Sequence, residues 1–166
     1  MNMRFRACAA LLLTGLLVFT SCAGPPRTGA PLERFSFSHS GMSTGSIYTL
    51  TVLRTDGGWK MKADLFCSHE YEFPMSQEDV RRLTQLIDSH ELWKWNGYDR
   101  ADRHVHDGEG FDLRIWFEDG QEISASGENS FPAGYRAAED AVKTFFIEIM
   151  ETNGIKKSIL KGWNVL

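Results

Sequence analysis

The chain has 166 residues, a length suited to about one domain. Apolar residues make up 42% of it and aromatics 12%, which is enough for a hydrophobic core and too much for a disordered chain. The formal net charge is −4 with both signs mixed along the chain, which argues against nucleic acid as a partner, since that needs a basic face against phosphate.

The first segment reads as targeting rather than fold. Arg4 and Arg6 precede an apolar run over residues 7–20, basic then short and greasy, the order of a secretory signal. The run is too short to span a bilayer comfortably. It ends in Phe19-Thr20-Ser21-Cys22, which resembles the bacterial lipobox. The resemblance implies that residues 1–21 are a lipoprotein signal peptide and that Cys22 becomes the lipidated first residue of the mature chain. Membrane attachment would then be through lipid, each buried CH₂ contributing about 0.8 kcal/mol. Ala23 stands where aspartate is associated with inner-membrane retention. In a Gram-negative cell this implies the outer membrane, facing the periplasm; in a Gram-positive cell, the outer face of the cell membrane.

Without residues 1–21, Lys+Arg falls from 18 to 16 against 22 acids, a formal charge of −6. Cys8 leaves with the signal and Cys22 carries lipid, so Cys67 has no internal disulfide partner. Cys67 is expected as a small buried hydrophobe. Residues 22–31 are the lipidated cysteine and a Pro/Gly tether, AGPPRTGAP after Cys22, which cannot build a helix. Extended at about 3.1 Å per residue, such a tether reaches roughly 30 Å.

The domain is expected over 32–154. Phe35, Phe37 and His39 alternate with serines in a first strand. A polar turn over 41–45 leads to a second strand with Tyr48, Leu50 and Val52 on one face. Thr55–Gly58 is a turn, and Trp59, Met61, Ala63, Leu65 and Cys67 alternate in a third strand. Ser76 with Asp79 three residues on forms a capping-box variant, and Met75 and Val80 stand at staple positions. This predicts a helix over about 77–91, with Val80, Leu83, Leu86, Ile87 and His90 on one face. Trp93, Trp95 and Tyr98 follow, expected against the sheet edge.

Phe111, Leu113, Ile115 and Phe117 then alternate inward, with Trp116 outward. Asp119-Gly120 is read as a two-residue hairpin turn, and Ile123 and Ala125 return inward. Asn129 or Ser130 is expected to cap a second helix with Pro132 in its first turn, carrying the stripe Tyr135, Ala138, Val142, Phe145 and Ile149. Asn153-Gly154 stops it, and residues 155–166 form a tail. The order β-β-β-α-β-β-α predicts an α+β fold: an antiparallel sheet of about five strands with two helices on one face.

His104 and His106 are the sharpest metal candidates, because i and i+2 side chains of an extended segment share a face; Asp99, Asp102, Asp107 and Glu109 lie close in sequence and could complete a shell. A polar loop entering the hairpin explains them better. No nucleophile–base pair with an orienting third group is present, so no catalytic residue is assigned. The glycines of 107–110 and 125–130 match no phosphate loop, and no cofactor is expected. Trp116, Trp93 and Trp95 are the candidates for an exposed aromatic binding surface.

Asp107-Gly108, Asp119-Gly120, and Gly127, Asn129, Phe131 and Pro132 together form a pattern, DGEGFDLRIWFEDGQEISASGENSFPAGY, that resembles a recurrent one in small uncharacterised bacterial α+β domains. The likeness covers most of residues 35–150 and implies the fold, with no reaction attached. The expectation for function is a membrane-tethered, non-enzymatic module that binds an envelope protein or cell-wall material. The rival expectations are a metal-binding or metal-dependent hydrolytic domain using His104 and His106, and an inhibitor of an envelope enzyme.

Overall fold

The computed structural model describes residues 29–41, 47–66, 69–102, 104 and 108–156. They form an α+β domain of two layers. The strands are β1 (Leu32–Ser40), β2 (Tyr48–Thr55), β3 (Gly58–Leu65), β4 (His69–Met75), β5 (Asp99–Ala101), β6 (Gly110–Phe117) and β7 (Glu122–Glu128). The helices are α1 (Gln77–Ser89) and α2 (Tyr135–Thr152), with a 3-10 turn at Leu92–Trp95. The sheet has seven strands in the order β4-β3-β2-β1-β6-β7-β5. Every pairing is antiparallel except that of β5 with β7, which is parallel.

Period-two alternation decides which face is buried. Phe35 and Phe37 of β1, Leu50 and Val52 of β2, Met61 and Ala63 of β3, and Leu113 and Ile115 of β6 all lie inward and are buried. The stripe expected on α2 covers them: Tyr135, Ala138, Val142, Phe145 and Ile149 are all buried. Val80, Leu83 and Ile87 of α1 join the same core, and the Arg82 guanidinium lies 5.5 Å from the Phe145 ring centroid where the helices meet. Both helices therefore cover one face, and among the described residues no helix covers the other.

The start of α1 is local chemistry. Asp79 N donates to Ser76 Oγ at 3.1 Å, and Ser76 N donates back to Asp79 Oδ2 at 3.0 Å. Met75 and Val80, the staple pair, are both buried.

Several expectations need correction. The sheet has seven strands rather than about five, and it is mixed rather than purely antiparallel. The strand β4 was not foreseen: it is an edge strand that buries only Met75, with Tyr71 and Phe73 half-buried and Glu70, Glu72 and Pro74 alternating on the opposite face. Proline and charge are how edges avoid pairing with other chains. The helix α1 ends at Ser89, since Glu91 takes a left-handed φ of 52°, so His90 caps the end instead of continuing the apolar face. The hairpin loop has three residues, Glu118-Asp119-Gly120: Gly120 N donates to Phe117 O and Phe117 N to Gln121 O, with Gly120 at φ 82°. The helix α2 begins behind Gly134, five residues after Asn129, for a reason given below. Cys67, residues 42–45 of the expected turn, and residues 157–166 of the tail lie outside the described residues, as do Cys22 and most of the tether. Among the described residues no helix is long and apolar enough to cross a membrane.

Candidate functional site

The strand β1 runs from one pole of the sheet to the other. Its start meets Phe117, and Pro31 O accepts from Glu118 N. Its end, at His39 and Ser40, pairs with Tyr48, Phe111 and Gly110. At about 3.3 Å per residue the two poles are roughly 25 Å apart.

A buried polar cluster occupies the His39 pole, beneath α2. His39, Glu139 and Lys143 are the buried polar residues of the described core, at 4%, 4% and 7% exposure. His39 Nδ1 lies 2.8 Å from the Tyr135 hydroxyl and 3.3 Å from Glu139 Oε1. Tyr48 donates to Glu139 Oε1 at 2.8 Å, and Arg136 Nη1 donates to Glu139 Oε2 at 3.1 Å. Arg136 Nη2 also donates to Glu109. Lys143 Nζ lies 5.5 Å from the Tyr48 ring centroid. Glu139, the buried carboxylate of the cluster, is thus paired with Arg136, while Arg136 and Glu109 meet nearer the surface.

The environment sets the protonation states. Burial first, then the Glu139 charge, pushes the Tyr48 and Tyr135 hydroxyls far above the ordinary tyrosine value, so both remain donors. Burial holds the His39 imidazole below its ordinary value, against the opposing pull of Glu139 and Glu109. The neutral ring shares a hydrogen bond with the Tyr135 hydroxyl at Nδ1, the donor being set by the tautomer. The Arg136 hydrogen bond holds the Glu109 carboxyl below the usual range.

The motif glycines and Asn129 build the support for this cluster. Asn129 has a left-handed φ of 53°; its Oδ1 accepts from Glu109 N at 2.8 Å and its N donates to Glu109 O at 2.7 Å. A Cβ on Gly108 would lie 1.4 Å from that Oδ1, and a Cβ on Gly127 would lie 2.1 Å from Ser130 O. Both positions therefore exclude a side chain. With its side chain committed to Glu109, Asn129 cannot cap α2, which is why the helix starts later. The clamp fixes Glu109, Glu109 holds Arg136, and Arg136 holds Glu139. An aromatic cluster backs it: the Tyr135 ring lies 4.5 Å from Phe131 and 4.8 Å from Phe111.

Sequence patterns place His39, Tyr48 and Tyr135 on inward faces and Glu109 among possible metal ligands, and give Arg136, Glu139 and Lys143 no role. A signal was present. His39 is in phase with Phe35 and Phe37, and Tyr135, Glu139 and Lys143 are spaced i, i+4, i+8 along the buried side of α2.

The residues that were singled out do not come together. Trp95 is a correction: it is 5% exposed, with its ring 6.1 Å from Phe111 and 5.9 Å from Tyr135, so it belongs to the core. Trp116 lies on the helix-free face, half-buried, with the Arg34 guanidinium 4.9 Å from its ring centroid. Trp93 is half-buried, with Lys94 Nζ 5.3 Å away. Trp95 and Trp116 thus face opposite sides of the sheet and cannot share one surface. His104 is exposed, and its backbone N–H donates to Asp102 Oδ1. His106 and Asp107 lie outside the described residues. Among the described residues no group of three His, Cys, Asp or Glu stands together as metal ligands.

The helix-free face is organised by register. One cross-strand row reads Glu72, Lys62, Thr51, Ser36, Arg114, Ser124. The next row, toward the His39 pole, reads Glu70, Asp64, Thr49, Ser38, Asp112, Ser126, with Asp99 beyond. Hydroxyls fill the centre of both rows. Lys62 Nζ reaches Glu72 at 3.0 Å and Glu70 at 3.9 Å, and Arg114 Nε reaches Asp112 at 3.3 Å. In these two rows five carboxylates face two cations, while the next row, toward Leu32, carries Lys60 and Arg34 against Glu122, so acidity is concentrated in the row nearer the His39 pole.

A comparison with protein-family models finds no match to this chain, and a comparison with curated proteins likewise finds none.

Proposed function

We propose that this protein is a lipid-tethered, extracytoplasmic interaction module that presents the helix-free face of its sheet to a basic surface of another envelope protein. The observation that carries the reading is that face itself. It is hydroxyl-centred and acidic toward the His39 pole, and among the described residues no helix covers it. The lipobox likeness ending at Cys22 supports the tether. Electrostatic complementarity of this kind speeds encounter and selects partners more than it adds affinity.

Two measurements test it. Labelling with a fatty-acid analogue should mark the native chain and be abolished by Cys22→Ala, with the variant leaving the membrane fraction. A photo-crosslinker placed at Ser36 or Thr51 in native membranes should capture one stoichiometric protein partner, and the yield should fall as salt is raised. The same probe at Arg81, on the helical layer, should capture none. Capture of bystanders only, or capture equal from both layers, rejects the module. Capture of glycan instead of protein rejects the partner class.

A further inference from the structure

We propose that the His39 cluster is an acid-operated latch, in which a proton taken up on the imidazole loosens the first turns of α2 from the ends of β1 and β2. This goes beyond the binding reading and does not depend on it.

The geometry carries the argument. His39 faces Tyr48 from β2, Glu109 from the segment before β6, and Tyr135, Arg136, Glu139 and Lys143 from α2. With the ring neutral, the buried Glu139 carboxylate is matched by Arg136 and Lys143, and the more exposed Glu109 by Arg136. A proton on His39 adds a cation to a buried group whose one carboxylate already faces both of those cations. It also puts N–H groups on both ring nitrogens, so that Nδ1 cannot accept from the Tyr135 hydroxyl 2.8 Å away. Glu139, at 3.3 Å, and the more distant Glu109 are placed to favour the imidazolium. The Glu139 carboxylate already accepts from Tyr48 and Arg136, and Arg136 and Lys143 both oppose the added charge. Burial works in the same direction as the two cations.

The same contacts join the elements. Tyr135 and Glu139 bind α2 to His39 at the end of β1 and to Tyr48 at the start of β2. Glu109, through Arg136, binds α2 to the segment before β6. The side chains of α1 and β3 take no part. A charge introduced at His39 therefore acts on one pole of the domain rather than on the whole core.

The sign follows from linkage. A histidine held neutral in the folded state contributes stability that is complete above its ordinary value of 6.5. That stability is lost as pH falls from there through the depressed folded value. If the closed latch keeps His39 neutral, opening becomes about tenfold more frequent between about pH 7.5 and about pH 5.5.

Amide hydrogen exchange of the full chain in detergent micelles, corrected for the intrinsic pH dependence, tests this. Protection at residues 38–40, 48–50 and 135–140 should fall about tenfold across that interval, while α1 and β3 keep theirs. H39Q should show no such fall. Should H39Q not fold, the His39 ring resonances of the unsubstituted chain decide: titration well below pH 6.5 supports the latch. An equal fall in H39Q, a fall spread evenly into α1 and β3, or a His39 ring that titrates at or above its ordinary value overturns it.

Discussion

The Asn129 amide occupies the space that a side chain on Gly108 would need, 1.4 Å from where its Cβ would stand, and from there it accepts from Glu109 N. Two residues far apart in sequence are thereby made interdependent. Gly108→Ala is expected to destabilise the domain by about 2 kcal/mol or more, because the clash is with a side chain already hydrogen-bonded. Asn129→Ala should cost about 1–3 kcal/mol. In the double variant the clash disappears, so the two losses should fall well short of adding. Urea unfolding of the four chains checks the cycle; strict additivity would show that the two residues do not interact.

The Glu139 carboxylate is the hub of the buried cluster. Removing it by Glu139→Ala leaves the Tyr48 hydroxyl without its buried acceptor and takes the buried carboxylate from beside Arg136 and Lys143, at an expected cost of about 3 kcal/mol. Tyr48→Phe removes one hydrogen bond while keeping the ring beside Lys143, and should cost about 1–2 kcal/mol. Thermal unfolding ranks the pair, and a Glu139→Ala chain as stable as Tyr48→Phe would contradict the charge pairing described here.

A second pH limb arises at Glu109. Arg136 holds its carboxyl below the usual range, so the pair contributes stability above the ordinary carboxylate value. That contribution is lost as pH falls below about 4.3 and through the depressed folded value. The pair is largely solvent-exposed, so its effect is small and should shrink further in salt. Arg136→Met should flatten this limb in an acid titration of stability; a limb unchanged in that variant must come from other carboxylates.

At the start of α1, Ser76→Ala should cost about 1 kcal/mol by removing the acceptor for Asp79 N. Ser76→Asp keeps that acceptor and should restore most of the loss. Circular dichroism melts of both variants distinguish capping from a general surface effect, which would leave the two alike.

Local patterns were readable where one element carries the whole signal. The capping box and staple of α1 involve residues within six positions of one another, and they stand as read. The alternation of β1, β2, β3 and β6 and the stripe of α2 likewise state which side of each element is buried. Misreadings arose where a local rule met a tertiary demand. Asn129 has the chemistry of a cap, yet its side chain is taken by Glu109, twenty residues away. Trp95 belongs to an aromatic run that reads as surface-capable, yet Tyr135 and Phe111 enclose it. The strand β5 has three exposed residues, and only the β7 edge makes it a strand at all.

The sequence by itself determined the α+β class, the helix-covered face and the start of α1, because periodicity and capping are properties of a few consecutive residues. Only the tertiary structure decided that His39 meets Tyr135 across 96 positions and Tyr48 meets Glu139 across 91. It alone also set the carboxylates of four strands in one row. Hydrogen bonds and charge rows depend on strand order and register, and those are chosen by the packing of the whole core rather than by any one segment.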